Sequence, residues 1–327
     1  MVQDFIESQM IKQLKNTPVL ITGANGFIGS HLTKRLVVLG AKVSAFVEPG
    51  TSLWRIQDIK NKIKVYPVDI TKFKNVDVLI KKIKPIKVYH LAAHVNVNRS
   101  LDLLSRMVDI NIKGTTNVLN ALENTCKVDC FINTGTGEEY GDGDVPFLES
   151  QRENPVSPYS ASKVCTTYLC QMLHKIYNMP IITLRPFLTY GPYQTNDMLI
   201  PLLIRKCLLG KEFEMTKGEQ TRDFNYVSDI VEGYIKASIT QRAIGEIINL
   251  GSGREYKIKD VVNLIFDLTK SKVKPKIGKL AYRQGETMNF YCSNRKAQKI
   301  LKWKPKISLN KGLCRTIGWY KGYINKE

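Results

Sequence analysis

The sequence predicts an α/β chain built on a doubly wound parallel sheet, followed by a smaller mixed region. Three observations carry this. Short apolar runs alternate with amphipathic helical patterns through the first 186 residues, and the first run turns into a helix through three glycines spaced three apart. After Pro186 the regularity breaks into shorter elements with Pro192, Pro201, Gly210 and Gly218 between them.

Residues 1–16 precede the first strand as a short helix. Residues 19–31 then read VLITGANGFIGSH. Gly23 permits the tight turn off the strand, Gly26 removes a Cβ from the path of an approaching ligand, and Gly29 lets the helix pack closely. Bare backbone N–H groups and a positive helix end suit a pyrophosphate, so this Rossmann-type opening predicts a bound dinucleotide. Asn25, Phe27 and Ile28, lying between and beside the glycines, count among the residues expected to hold it. Leu32, Leu36 and Leu39 recur at helical spacing and Gly40 ends the helix. The next strand, 42–47, closes at Glu48, where the dinucleotide fingerprint places an acid for the adenosine ribose hydroxyls. A carboxylate repels a 2′-phosphate, which favours NAD, while Arg55 nearby keeps NADP open.

Further apolar segments at 63–68, 86–92, 128–134 and 180–184 alternate with helical patterns near 71–83, 101–124 and 159–177. Segments around Tyr226 and from Ile247 to Leu250 are apolar enough to return to the main sheet. The expected organisation is a dinucleotide-binding unit over 1–186, rejoined by segments near 223–251, and a substrate unit over 187–327.

With 49 Lys and Arg against 29 Asp and Glu, the formal net charge is +20. The lysines are spread along the chain, a bias that attracts anionic substrates rather than the footprint of a nucleic-acid site. No stretch of about twenty apolar residues is present to span a bilayer, and the first eighteen residues are too polar for a signal peptide, so a soluble cytoplasmic protein is expected. Seven cysteines (Cys126, Cys130, Cys165, Cys170, Cys207, Cys292, Cys314) without a Cys-x-x-Cys pair, and four histidines without ligand spacing, predict reduced thiols and no metal.

Tyr159 and Lys163 stand four apart in a helical pattern entered through Pro155 and Pro158. That spacing puts the ammonium near the phenol, where it favours the phenolate and makes a usable general base. Of the fifteen tyrosines, Tyr159 alone has a lysine four residues on. Upstream, the strand at 128–134 runs into Gly135-Thr136-Gly137-Glu138-Glu139-Tyr140-Gly141. Thr136, just past the strand's carboxyl end, is placed to hydrogen-bond the substrate oxygen that Tyr159 deprotonates.

GANGFIGSH, His90-Leu91-Ala92-Ala93-His94, the Thr136 turn, Tyr159-Ser160-Ala161-Ser162-Lys163, Arg185-Pro186-Phe187-Leu188-Thr189-Tyr190-Gly191-Pro192, Thr221-Arg222-Asp223-Phe224-Asn225-Tyr226-Val227, Asn249-Leu250-Gly251-Ser252-Gly253 and Tyr282-Arg283-Gln284-Gly285-Glu286 follow one another in order. Over residues 17–322 the chain therefore resembles the extended short-chain dehydrogenase/reductase family, the nucleotide-sugar epimerases and dehydratases. The resemblance implies that Asp69 and Ile70 lie near the adenine and that Leu91, Ala92 and Ala93 line the cofactor. It also implies that Arg222 and Arg283 grip the diphosphate of a nucleotide sugar, with Glu286 on its ribose, and that Leu188 contacts the substrate where many relatives have Asn. The shared first step is removal of the sugar 4-hydroxyl proton by the tyrosinate while hydride leaves carbon 4.

Glu138 matches the glutamate base of the 4,6-dehydratases, although Gly137 stands where many of them have Asp. A 4,6-dehydratase is therefore the first expectation, a 4-epimerase the second and a 4-keto-6-deoxysugar reductase the third. The resemblance also implies a homodimer pairing helices 101–124 and 159–177 across a two-fold axis, with Leu103, Leu104, Met107, Leu169, Met172 and Ile176 as apolar contacts.

Overall fold

The computed structural model describes residues 2–125, 127–283 and 285–324; Cys126 and Gln284 lie outside the described residues. Strands β1 (Pro18–Thr22), β2 (Lys42–Val47), β3 (Lys64–Pro67), β4 (Lys87–His90), β5 (Cys130–Thr134), β6 (Ile181–Pro186) and β7 (Ile247–Leu250) form one sheet. Its order is β7-β6-β5-β4-β1-β2-β3, with every pair parallel. Both faces are covered, so alternate residues of one strand enter different cores. Val19 and Ile21 pack on one side and Leu20 on the other; Ala45 and Phe46 divide likewise.

The chain reverses direction across the sheet between β1 and β4. Loops leaving their carboxyl ends diverge there and open a crevice, the place where such sheets bind ligands. Helix α1 (Val2–Leu14) buries Met10 and Leu14 in the first core, and Glu7 pairs with Arg35 of α2 (Phe27–Val38) at 2.5 Å. Between α3 (Phe73–Ile83) and β5 the expected single helix of 101–124 is divided. A 3-10 turn, α4 (Leu104–Met107), a π turn over Val108–Lys113 and α5 (Gly114–Glu123) follow in succession. The cause is Asn111 in the π turn. Its buried amide accepts from His94 N at 2.8 Å and donates to His94 O at 3.1 Å and Ser162 Oγ at 2.8 Å, which holds the helix out of α register.

Helix α6 (Pro158–Tyr177) begins as its sequence predicts. Ser157 and Ser160 form a reciprocal cap, Pro158 occupies the first turn, and Asn178 ends the helix in the left-handed region. Beyond β6, the helices α7 (Leu199–Leu208), α8 (Val227–Ser238), α9 (Ile258–Thr269), α10 (Arg295–Leu301) and α11 (Leu309–Ile324) follow. A second core gathers Leu203, Ile204, Phe224, Val262, Ile265, Leu313 and Ile317 from α7, α9, α11 and the segment before α8, whereas α8 itself returns Val231, Tyr234 and Ile235 to the main sheet.

The expectation for 247–250 is met, since this segment pairs with β6. The expectation for Tyr226 is not. Asn225 and Tyr226 pair with Thr189 and Tyr190 in a separate two-stranded ladder, because the place beside β6 is taken by β7. No described helix is long and apolar enough to cross a membrane.

Candidate active site

The glycine turn leaves β1 at Gly23, whose φ of +69° places it in the left-handed region. A Cβ there would meet Ala92 N at 2.8 Å and Leu91 C at 2.9 Å, so the turn lies directly on the backbone leaving β4. Thr22 ties the two loops from inside. Its hydroxyl accepts from Ala92 N at 3.1 Å and pairs with His90 Nδ1 at 2.8 Å, while burial and the Lys163 charge hold His90 down to about 3. Gly26 is different: the single atom near an added Cβ is Gly23 O at 3.1 Å, and the rest of that side is open. At Gly29 an added Cβ would fall inside Gly23 O. The third glycine thus lets the helix close on the turn itself. Gly26 gives α2 an extended start without a side-chain cap, leaving the first N–H groups of the helix to a ligand.

Asn25 fixes the outer side of this cradle, donating to Thr51 Oγ1 at 3.0 Å and Ser52 O at 3.2 Å. Phe27 and Ile28 pack half-buried against the first core. Glu48 is exposed at the end of β2 and near enough to His94 to oppose the burial that lowers that imidazole. Asp69 accepts from Thr71 N at 2.9 Å and Thr71 Oγ1 at 2.7 Å, a local turn that stands its carboxylate at the end of β3; Ile70 behind it abuts Gly114. Arg55 donates to Tyr193 O at 2.8 Å and lies over the Trp54 ring.

The second half of the site is built on β5 and α6. Thr136 caps a 3-10 turn, Gly137–Tyr140, through a reciprocal box with Glu139. Its hydroxyl lies close enough to the Tyr159 phenol to act on its ionisation. Burial, reinforced by the Glu138 charge, raises the Tyr159 phenol above its ordinary range; the nearby Thr136 hydroxyl opposes this. Lys163 shares the buried helix face with Tyr159, as the spacing predicts. Its ammonium, however, donates to Thr134 O at 2.8 Å rather than to the phenol, because the last carbonyl of β5 lies in its path, and burial brings it down to about 8.

Glu138 is half-buried, and that burial holds its carboxyl above the usual carboxylate range against Arg222, Arg283 and Arg99. Arg222 pairs with Glu286, which also takes Arg283 Nε at 2.7 Å. Glu286, expected on a nucleotide ribose, thus sits between the two guanidinium groups. Leu188 packs half-buried on the second core.

Sequence reasoning missed Arg99, which donates to Gly285 O at 2.6 Å and brings a third guanidinium to Glu138. No pattern links positions 99 and 285. It also missed Glu139, for which Thr136-x-x-Glu139 is a capping-box signal.

A family model described as GDP-mannose 4,6 dehydratase matches residues 20–316. The chain belongs to this family. Within the GDP-mannose 4,6-dehydratase family and its nucleotide-sugar relatives, it is 32% identical over 317 residues to a UDP-glucuronate 4-epimerase of Thermodesulfobacterium geofontis, covering 93% of this chain and 96% of that protein. It is 30% identical over 331 residues to a dTDP-glucose 4,6-dehydratase of Haemophilus influenzae, covering 92% and 97%. A UDP-glucuronic acid 4-epimerase of Bacillus cereus, solved with UDP-glucuronic acid and NAD, superposes with a TM-score of 0.84 at 30% identity, over 93% of this chain and 99% of that one. The family and these relatives place the chain among NAD-dependent dehydratases and epimerases of nucleotide sugars, on a Rossmann-like sheet.

Proposed function

We propose that the chain is an NAD-dependent nucleotide-sugar 4,6-dehydratase acting through a 4-keto sugar. The observation that carries this reading is Glu138. It stands two residues from Thr136, faces three arginines, and is held by burial above the usual carboxylate range. Gly23 and Gly29 hold the turn close against β4 and α2, and the open side that a Cβ on Gly26 would enter is the space that fits a pyrophosphate. Glu48 then takes the adenosine ribose, Asp69 and Ile70 flank the adenine, and Leu91, Ala92 and Ala93 line the wall. Arg55 is engaged by Tyr193 O and Trp54, so it is not offered to a 2′-phosphate, which supports NAD. NAD supplies the hydride acceptor.

Tyr159 takes the proton from the 4-hydroxyl, with Thr136 holding the same oxygen and Lys163 the nearby cation. Arg222 and Arg283 exchange Glu286 for the substrate diphosphate, forked guanidinium groups being suited to it. Leu188 bounds the substrate where the second core begins. Glu138 removes the carbon 5 proton that the 4-ketone acidifies. The unit over 187–327, less α8 and β7, holds the nucleotide sugar, and 1–186 with those two elements holds the dinucleotide.

One observation favours 4-epimerase as the second reading. A Cβ on Gly137 would press on the Phe187 ring at 3.0 Å, so no acid stands there to help water leave carbon 6. The Glu138→Gln variant separates the two. A dehydratase variant still oxidises carbon 4 but no longer exchanges the carbon 5 hydrogen with deuterium from solvent, whereas an epimerase keeps most of its activity. Wild-type protein that never incorporates deuterium at carbon 5 of any substrate it turns over excludes the dehydratase.

We infer a homodimer as well. Leu104, Val108, Met172 and Ile176 are exposed, and Leu101 and Tyr168 continue the patch. Met107, expected in the same contact, is fully buried and belongs to the core. Light scattering is expected to show two chains at micromolar concentration and one chain for Ile176→Glu; a monomeric wild type overturns the pairing.

A further inference from the structure

Tyr159, Lys163 and Thr167 stand four apart and form one buried row along α6. Glu139 closes the end of that row. Its side chain has no exposure; Oε1 accepts from Thr136 N at 2.8 Å, and Oε2 accepts from Thr167 Oγ1 at 2.9 Å and from Arg185 Nη2 at 2.6 Å. A cap needs only the first of these bonds. Arg185 is equally buried and also pairs with Glu153 at 2.5 Å. One guanidinium between two carboxylates leaves this trio with one negative charge in excess, and an uncompensated charge in a dry interior is costly. Lys163, one turn before Thr167 in the same buried row, is the cation that balances it.

We propose that Glu139 is a positioning residue for the reaction, fixing the Thr136 turn and supplying the buried counter-charge of Lys163. The catalytic half of this inference rests on the reading of Tyr159 and Lys163 given above; the electrostatic half does not. Glu139 opposes the effect of burial on Lys163 and adds to it on Tyr159. The other titratable groups facing the row are Glu138 from the turn, Tyr234 from α8, His90 from β4 and Cys170 from α6 itself. None of them is a second carboxylate acting on Lys163, so Glu139 is the carboxylate that opposes the effect of burial on its ammonium.

The test is a titration of Lys163 by the 13Cε shift of labelled lysine, assigned with Lys163→Arg, in the full-length protein and in Glu139→Gln. The amide keeps the shape and the bond to Thr136 N while losing the charge. Loss of an opposite charge at this range is expected to lower the Lys163 midpoint by about 1 pH unit or more. An unmoved midpoint overturns the proposal. Should Glu139→Gln fail to fold, Glu153→Gln removes the same excess charge from farther away; a smaller downward move supports the proposal and none overturns it.

In turnover, Glu139→Gln should move both limbs of the pH profile for carbon 4 oxidation toward acid. A rate that falls by one factor at every pH would mark a purely structural role and overturn it. Wild-type protein that turns over no nucleotide sugar while the Lys163 midpoint still moves retires the functional reading and keeps the counter-charge.

Discussion

Tyr159→Phe is expected to lower turnover by roughly 10²–10⁴-fold, the usual worth of a positioned acid–base group, while leaving dinucleotide affinity close to that of the wild type. The ring remains packed, since Tyr159 is buried and the substitution removes one oxygen. What is lost is the α6 phenol beside the Thr136 hydroxyl, the group expected to take the 4-hydroxyl proton. Burial and Glu138 hold that phenol protonated in the structure described, so its ionisation must await a change in its surroundings. The Lys163 ammonium, now on Thr134 O, is the nearest cation on the same helix face. Rapid-scan kinetics with a nucleotide sugar beside a dinucleotide titration separates the two effects. A variant keeping more than about a tenth of the wild-type rate would assign the base to another group.

The second large effect concerns the glycine turn, where neighbouring substitutions should fail in different ways. Gly26→Val is expected to abolish dinucleotide binding while the protein stays folded, because its Cβ meets one atom of the chain and otherwise projects into the space meant for the ligand. Gly29→Ala is expected to destabilise the fold itself. Even a methyl group would fall inside Gly23 O, a backbone atom that cannot swing aside, so α2 must lift from the turn. Thermal unfolding and a dinucleotide titration on both variants check this. A Gly26→Val protein that binds normally, or a Gly29→Ala protein as stable as the wild type, would contradict the assignment.

Local signals carried most of the fold. The glycine turn, the Ser157 cap of α6 and the two-faced apolar strands are each written within a few neighbouring residues, and the Tyr159–Lys163 face follows from one helical period. Contacts between distant segments left no such trace. Tyr226 reads as a sheet strand by its apolar neighbours, and only the arrival of β7 beside β6 assigns it elsewhere. Met107 has the spacing of an interface residue, yet the turn distorted by Asn111 rotates it inward, where its sulfur accepts from the Asn111 amide at 3.4 Å. The adjacent acids Glu138 and Glu139 look alike in sequence. The capping geometry sends one into a buried ion cluster and leaves the other facing the arginines.

The contact between Arg99 and Gly285 spans 186 positions of sequence and is made by a side chain lying against bare backbone. Gly285 has a φ of +66°, and a Cβ on it would occupy the place of Arg99 Nη1. Position 285 is therefore held to glycine first by its own backbone, whatever stands at position 99. A methyl group gained at 285 strains that left-handed backbone even in a lineage that has shortened residue 99, whereas the guanidinium, at the far end of a flexible side chain, has room to swing aside.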